Sequence, residues 1–476
     1  MSTLASKISD VQAALDTLAR QHKVPGASLG ILQGDELVEF VTGVANVETQ
    51  VPVTTSTLFQ IGSNTKLYTA TLVMQLVDDG LIDLDTPVKK YLPEFKIADR
   101  KSNDTITVRM LLSHTSGLEG DVFTDGGRGD DGLEKYLLTL HDKGQIYRPG
   151  EMWSYCNSGW NVLGRLVEVM RKEPFHQVMK EKLLQPIGAS TTTVLMEDML
   201  RNSCAVGHVV QPGAGPTVPP AVMMSPSHAP AGSMTVSTPA QVLRFVRMHI
   251  DGGRAKDGTR VLSEVSAKAM QEPNAKLPFI PQLGTQMGLG WMIDEWDGER
   301  VLGHGGNTIG QGSYLKILPD RPFAAFLLTN STTGGLLWRD LARFVFGELA
   351  GVHPTENPKA PAVAPKVDLK AYAGAFGRYG IEITNKLDKG TLVASIEAKG
   401  ELATPGAPPQ TGRYSVVDKE IFLLNVGGED IVVHFTDFDG QARPRYLHAG
   451  ARVSKRLSKP AGTKKAPAKK RSGRAK

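Results

Sequence analysis

Residues 57–80 read Thr-Leu-Phe-Gln-Ile-Gly-Ser-Asn-Thr-Lys-Leu-Tyr-Thr-Ala-Thr-Leu-Val-Met-Gln-Leu-Val-Asp-Asp-Gly, and the fold turns on this stretch. A short apolar run ends at Gly62. Ser63-Asn64-Thr65-Lys66 then opens a segment in which Leu67, Ala70, Leu72, Val73, Met74, Leu76 and Val77 leave no clean polar face. That is the pattern of a buried helix, and Gly80 stands where a helix C-terminal glycine belongs. Ser63 is then at the helix N-terminus, with Lys66 one turn on. Residues three apart share a helix face, so the amine can reach the hydroxyl. The N–H groups of a first turn have no partner inside the helix and point at whatever lies there. A hydroxyl, an amine and anion-binding donors would meet in one place. The plain alternative is that Ser63 is only a helix cap.

The same spacing recurs at Ser313-Tyr314-Leu315-Lys316, in a strand-like run. In a strand, a spacing of three puts the two side chains on opposite faces. The context therefore singles out Ser63.

A chain of 476 residues with 41% hydrophobic content is expected to hold two or three domains with large cores. Two cysteines, Cys156 and Cys204, imply no disulfide framework. Residues 1–26 lack a basic start followed by an apolar core. They read instead as an amphipathic helix on Ile8, Val11, Leu15 and Leu18, so no signal peptide is expected. No apolar run approaches the roughly 20 residues of a membrane span. The expectation is a soluble cytoplasmic protein. The formal charge of +5 is concentrated at one end. Ten Lys and Arg lie in residues 455–476 with no acid, and without them 44 basic residues face 49 acidic ones. The tail is expected to be disordered and to bind polyanions weakly.

Along the chain, 27–32 and 37–41 flank Gly34-Asp35 as a hairpin would. Residues 107–118 read as a helix stopping near Gly117. The Gly- and Asp-rich stretch 120–132 reads as a surface loop. A turn and loop at 149–157 lead into another helix, and a further helix starts at Thr238-Pro239. Strands are expected at 287–294, 300–303, 313–318 and 323–330, followed by a helix over 336–349. One antiparallel sheet would thus be built from distant parts of the chain, with a helical insertion between them. Residues 353–366 carry Pro354, Pro358, Pro361 and Pro365 and read as a linker. Residues 367–454 alternate like strands between glycine turns, as in a small all-β barrel.

Three short elements join Ser63 and Lys66. Tyr155-Cys156-Asn157 lies just before a helix, Gly303-His304-Gly305-Gly306-Asn307 follows a strand-like run, and His114-Thr115-Ser116-Gly117-Leu118 ends a helix. In order, Ser63/Lys66, Tyr155/Asn157 and His304/Gly306 resemble the S-x-x-K, Y-x-N and K-T-G or H-x-G elements of the class C β-lactamase, penicillin-binding-protein and family VIII carboxylesterase superfamily. The likeness runs over about residues 5–350. It implies an α+β β-lactamase/transpeptidase-like fold over 1–352. The barrel at 367–454 resembles the lipocalin-like modules appended to some D-aminopeptidases of this superfamily.

The resemblance implies a serine hydrolase that forms an acyl-enzyme on Ser63 and cleaves small esters or amides. A D-amino-acid-type peptidase and a weak β-lactamase are the alternatives within that class. A non-catalytic binding protein on the same fold is the alternative outside it. Lys66 can act as base only if its amine is neutral part of the time, which burial and a nearby cation would favour. Tyr155 as a phenolate beside an ammonium is the other form open to the pair. By resemblance the two share the base role and pass the proton to the leaving group. Asn157 holds the acyl part of the substrate, and the backbone N–H groups of Ser63 and Asn307 form the oxyanion hole. No cofactor or metal is implied. His304 departs from the lysine of true β-lactamases. With an unperturbed pKa of about 6.5, it would be charged only in acid and would suit neutral substrates. Cys156 and His114 are read as packing and loop bracing.

Overall fold

The computed structural model describes residues 3–458 except 212, 281, 282 and 405. Two units emerge, Met1–Pro358 with Gly450–Val453, and Lys359–Ala449 with Ser454–Lys476.

The first unit begins with α1 (Leu4–Gln21), β1 (Gly26–Gln33) and β2 (Glu36–Gly43). The helices α2 (Thr65–Asp78), α3 (Val108–Leu112), α4 (Asn157–Arg171) and α5 (Pro239–Ile250) follow. Six strands come next: β3 (Ala275–Ile280), β4 (Gly284–Met287), β5 (Met292–Trp296), β6 (Glu299–Asn307), β7 (Gly312–Leu318) and β8 (Phe323–Thr329). The long helix α6 (Gly334–Ala350) closes the unit.

The strands form one antiparallel sheet in the order β2-β1-β8-β7-β6-β5-β4-β3, so the N-terminal hairpin joins the C-terminal strands at β1 and β8. That is the sheet of distant parts expected from the sequence, with the helices between them as the insertion. On one face α1 and α6 bury Leu15, Leu341 and Phe346 with Leu29, Ile31 and Leu327 of the strands. On the other face Pro239 and Leu243 of α5 pack directly on Gly30.

Helix α2 is buried almost all round, as its lack of a polar face requires. Two of its hydroxyls find partners inside the protein, while Thr65 Oγ1 and the Tyr68 hydroxyl are buried without one. Thr69 donates to the Pro230 carbonyl at 2.9 Å, and Thr71 donates to the Leu67 carbonyl at 2.9 Å. Each fully buried Leu or Val contributes about 1.5–3 kcal/mol through burial.

Several sequence expectations change. The stripe of α1 is Leu4, Val11, Leu15 and Ala19, while Ile8 is 43% exposed. Helix α3 stops at Leu112 rather than near Gly117, because His114 turns to a positive φ of 58°. The run at 287–294 is divided between β4 and β5, and β3 is an additional strand. The stretch 120–132 is only partly a surface loop, since Asp121 and Val122 are buried.

Residues 353–366 form neither helix nor strand. A closed barrel of eight strands runs from Gly374–Arg378 to Arg452–Arg456, and all of it except Arg452 and Val453 belongs to the second unit. The interior is filled by Tyr372, Phe376, Phe422, Phe435 and Leu447, as expected for a barrel of this size. Lys455 and Arg456 pair with Gly377 and Phe376, so the first two residues of the expected tail belong to the last strand. Residues 459–476 lie outside the described residues.

All five tryptophans, Trp153, Trp160, Trp291, Trp296 and Trp338, lie in the first unit. Their fluorescence therefore follows that unit alone. Leu72→Ala empties a site in α2 that is 1% exposed. It should lower the unfolding free energy read by tryptophan fluorescence in denaturant by about 2–5 kcal/mol. A change under about 0.5 kcal/mol would show that α2 is not packed as described.

Candidate active site

Ser63 lies in a single 3₁₀ turn, Gly62–Asn64, that runs directly into α2. The turn is pressed against the end of β6. Pairing of β6 with β5 ends at Gly303 opposite Met292, so His304–Asn307 are paired only on the β7 side. The Ser63 turn approaches here, and it can do so only because both sides lack side chains. A Cβ on Gly306 would stand 2.2 Å from the Ile61 carbonyl and 2.8 Å from the Ser63 nitrogen. A Cβ on Gly62 would stand 2.8 Å from the Asn307 nitrogen. The contact brings the Ser63 turn against the backbone of Gly306 and Asn307.

The Ser313 hydroxyl pins the same contact. It donates to the Ile61 carbonyl at 2.6 Å and accepts from Asn64 Nδ2 at 2.8 Å. Lys316, three residues on, instead lies over the Trp296 ring at 5.3 Å. The second S-x-x-K is thus split, as its place in a strand predicts.

Lys66 is fully buried. Its Nζ donates to Asn157 Oδ1 at 2.8 Å and to the Ala231 carbonyl at 2.5 Å, and it lies 3.0 Å from Ser63 Oγ. Burial, and next the Arg452 guanidinium, hold the amine well below the ordinary lysine value, while Asp121 acts in the opposite direction.

The Tyr155 hydroxyl lies on the Ser63 side of the site, where Ser63 acts to lower its pKa. Its ring stacks on His114 with centroids 4.4 Å apart, and Lys66 Nζ and Arg452 Cζ each lie 5.0 Å from its centroid. Burial drives the phenol above its ordinary pKa. Tyr155 is therefore a neutral phenol, which corrects the phenolate expected from sequence. His114 braces this loop, since its Nδ1 accepts from the Cys156 amide at 2.9 Å. Cys156 Sγ accepts from the Gly159 amide, and burial pushes the thiol up to about 12, so it is inert packing.

His304 needs the larger correction. It is 3% exposed, and burial followed by the nearby Lys66 amine lowers its pKa to about 3. The charge change expected near neutrality does not occur there. Its Nδ1 lies 2.7 Å from the Gly305 carbonyl, while Nε2 is buried without a hydrogen-bond partner.

The site residues expected from sequence are brought together from the Ser63 turn (Ser63), the start of α2 (Lys66), the loop before α4 and its first residue (Tyr155, Asn157), and the open end of β6 (His304, Gly306, Asn307). Two neighbours were missed. Asp121 accepts from Asn157 Nδ2 at 2.9 Å, and Arg452 donates to Asp121 from Nε at 2.6 Å and from Nη2 at 3.0 Å. Asp121 was hidden in a stretch whose glycines and aspartates read as solvent-exposed. Arg452 stood among strand residues far along the chain. Among the described residues no group of three or more His, Cys, Asp or Glu side chains could hold a metal ion.

Comparison with known proteins gives the family and the fold. The family described as Beta-lactamase matches residues 11–350. Penicillin-binding protein 4 of Amycolatopsis lactamdurans is 41% identical over 370 residues, which cover 78% of this chain and 97% of that protein. The crystal structure of SurE is 27% identical with a TM-score of 0.76, covering 96% of this chain and all of that one. SurE solved with D-Leu gives a TM-score of 0.74 at the same identity, with 95% and 100% covered. Among the described residues no helix is long and apolar enough to cross a membrane.

The amine at Lys66 sets a pH dependence. Acylation at Ser63 should rise with pH as Lys66 loses its proton and reach its plateau well below pH 10.5, the ordinary lysine value. The check is the pH profile of labelling by a fluorophosphonate. A plateau reached only near the ordinary lysine value would mark Lys66 as solvated and not a base.

Proposed function

The chain belongs to the β-lactamase family of serine hydrolases, and on that premise we propose that Ser63 is the nucleophile of an acyl-enzyme reaction on small esters or amides. One observation carries the reading, the set of groups around Lys66 Nζ. A neutral amine has two N–H bonds and one lone pair. The carbonyl oxygens of Asn157 and Ala231 can only accept, so they take both hydrogens. The lone pair is left facing Ser63 Oγ at 3.0 Å. The hydroxyl donates to it, which is the arrangement of a nucleophile and its base.

In the reaction, Ser63 Oγ attacks the substrate carbonyl carbon and its proton passes to Lys66. The charge that develops on the carbonyl oxygen is held by the N–H groups of Ser63 and Asn307. Such donors contribute on the order of 3 kcal/mol each. The Tyr155 phenol, beside Ser63 and Lys66, relays the proton from Lys66 to the leaving nitrogen or oxygen, and the acyl–leaving-group bond breaks. Water then repeats the attack on the acyl-enzyme with the same proton path and releases Ser63. A non-catalytic binding protein would have no use for an amine buried against a hydroxyl at a loss in solvation.

Substrate class follows from His304. A carbonyl can only accept, so Nδ1 carries the proton toward Gly305 and Nε2 keeps a lone pair. The residue places a neutral ring where the lysine of true β-lactamases places a cation. Esters and amides without a carboxylate at that position are therefore the substrates, and penicillins are poor ones. The narrower reading is an amide beside a D-amino acid. Its support is the structural relative solved with D-Leu.

A fluorophosphonate should label the protein at Ser63, as peptide mapping by mass spectrometry will read. Labelling at Ser116 or Ser313 would overturn the assignment. Tyr155→Phe should fold normally and lose at least about a hundredfold in turnover.

A paired pH profile tests His304. Because its pKa is lowered to about 3, a neutral and an anionic ester of one acyl group should show parallel profiles. The comparison is made between about pH 5 and 8, where an unperturbed histidine would titrate. His304→Lys should raise kcat/KM for the anionic ester relative to the neutral one. Diverging wild-type profiles would show that a charge near the substrate titrates in this range, and no relative change in the variant would show that His304 does not set this preference.

A further inference from the structure

Asn157 is the one acceptor at Lys66 that could turn round. A side-chain amide has an acceptor end and a donor end of nearly the same shape. If Nδ2 faced Lys66, it would seek the amine lone pair and compete with Ser63 for it. Something must hold the oxygen inward. Asn157 Nδ2 donates to Asp121 Oδ1 at 2.9 Å, and an ionised carboxylate only accepts. Asp121 is 6% exposed and is itself fixed by two hydrogen bonds from Arg452, at 2.6 and 3.0 Å. Both residues lie within the first unit, which includes Gly450–Val453. The Ala451 carbonyl there accepts from the Tyr155 amide at 2.8 Å, so the same short segment also anchors the tyrosine loop.

We propose that Asp121, locked by Arg452, is a positioning residue that fixes the Asn157 amide with its oxygen on Lys66, and so keeps the lysine lone pair for Ser63. Asp121 acts through Asn157 and touches no reacting atom. The inference deepens the acyl-enzyme reading of the site and rests on it. Its electrostatic consequence has a definite sign. The Asp121 carboxylate favours the protonated form of Lys66, and the Arg452 guanidinium disfavours it. Removing Asp121 alone should therefore make the lysine easier to deprotonate while making it a worse-directed base.

The experiment compares wild type, Asp121→Asn and the double variant Asp121→Asn/Arg452→Met. The readouts are melting temperature, the pH profile of fluorophosphonate acylation, and a direct titration of the Lys66 amine by 15N NMR in lysine-labelled protein. In Asp121→Asn the plateau rate should fall by about tenfold to a hundredfold, the scale of a misdirected catalytic group. Its acid limb and the Lys66 titration should both move to lower pH. In the double variant the titration should return toward wild type, because the two opposed charges leave together, while the plateau stays low. A plateau restored in the double variant would overturn the proposal, since the loss would then come from an unpaired Arg452. A fall in rate with no movement of the limb or the titration would also overturn it, leaving Asp121 merely structural. If Asp121→Asn fails to fold, the double variant, which leaves no unpaired charge, decides alone through its plateau. If wild type is labelled elsewhere than Ser63, the acyl-enzyme reading fails, and the NMR titration still reports whether Asp121 governs Lys66.

Discussion

The buried amine of Lys66 is the constraint to which the surrounding structure answers. Moving an ammonium out of water without a full set of partners is very costly, whereas a neutral amine needs only its two hydrogens satisfied. The site supplies two carbonyl oxygens and a hydroxyl, which suits the neutral form. The carbonyls come from residues far apart in the chain. Ala231 ends the 3₁₀ segment Pro226–Ala231, and Asn157 opens α4. The helix that carries Lys66 must therefore be held rigidly against both. That explains why α2 is buried almost all round, with Thr69 and Thr71 bonded to neighbouring carbonyls. Packing and base strength are the same fact seen at two scales.

Charge in the site is balanced by opposed groups. Arg452 and Asp121 form a bidentate pair, so little net charge acts on Lys66, and burial remains the largest influence on it. Burial is also the main reason that Tyr155 stays a phenol and His304 stays neutral. Burial thus acts on three groups in the same sense, disfavouring the charged form of each.

The catalytic elements were legible in the sequence where chemistry and period coincide. Ser63 and Lys66 share a turn of a helix without a polar face, and Gly303–Asn307 end a strand-like run. The sheet was legible because β1, β2, β7 and β8 carry apolar runs bounded by turn residues. Protonation states were not legible, since Tyr155 and His304 show their burial only after folding. Asp121 was not legible because the glycines around it permit both an exposed loop and the buried turn it makes. Arg452 was not legible because its contact with Asp121 spans a separation of 331 residues.

The two S-x-x-K patterns show why a short motif is decided by the backbone beneath it. Ser63–Lys66 and Ser313–Lys316 carry the same residue types at the same spacing. In the first pair the 3₁₀ turn and helix place both side chains on one face, and the amine meets the hydroxyl at 3.0 Å. In the second the strand turns them apart, and each is used separately. Ser313 ties the nucleophile turn to β6 through Ile61 and Asn64, while Lys316 lies over Trp296. The strand copy is therefore not an inert duplicate. Its serine, opposite Gly306 in the β6–β7 register, is one of the groups that hold the helical copy at the open end of the sheet.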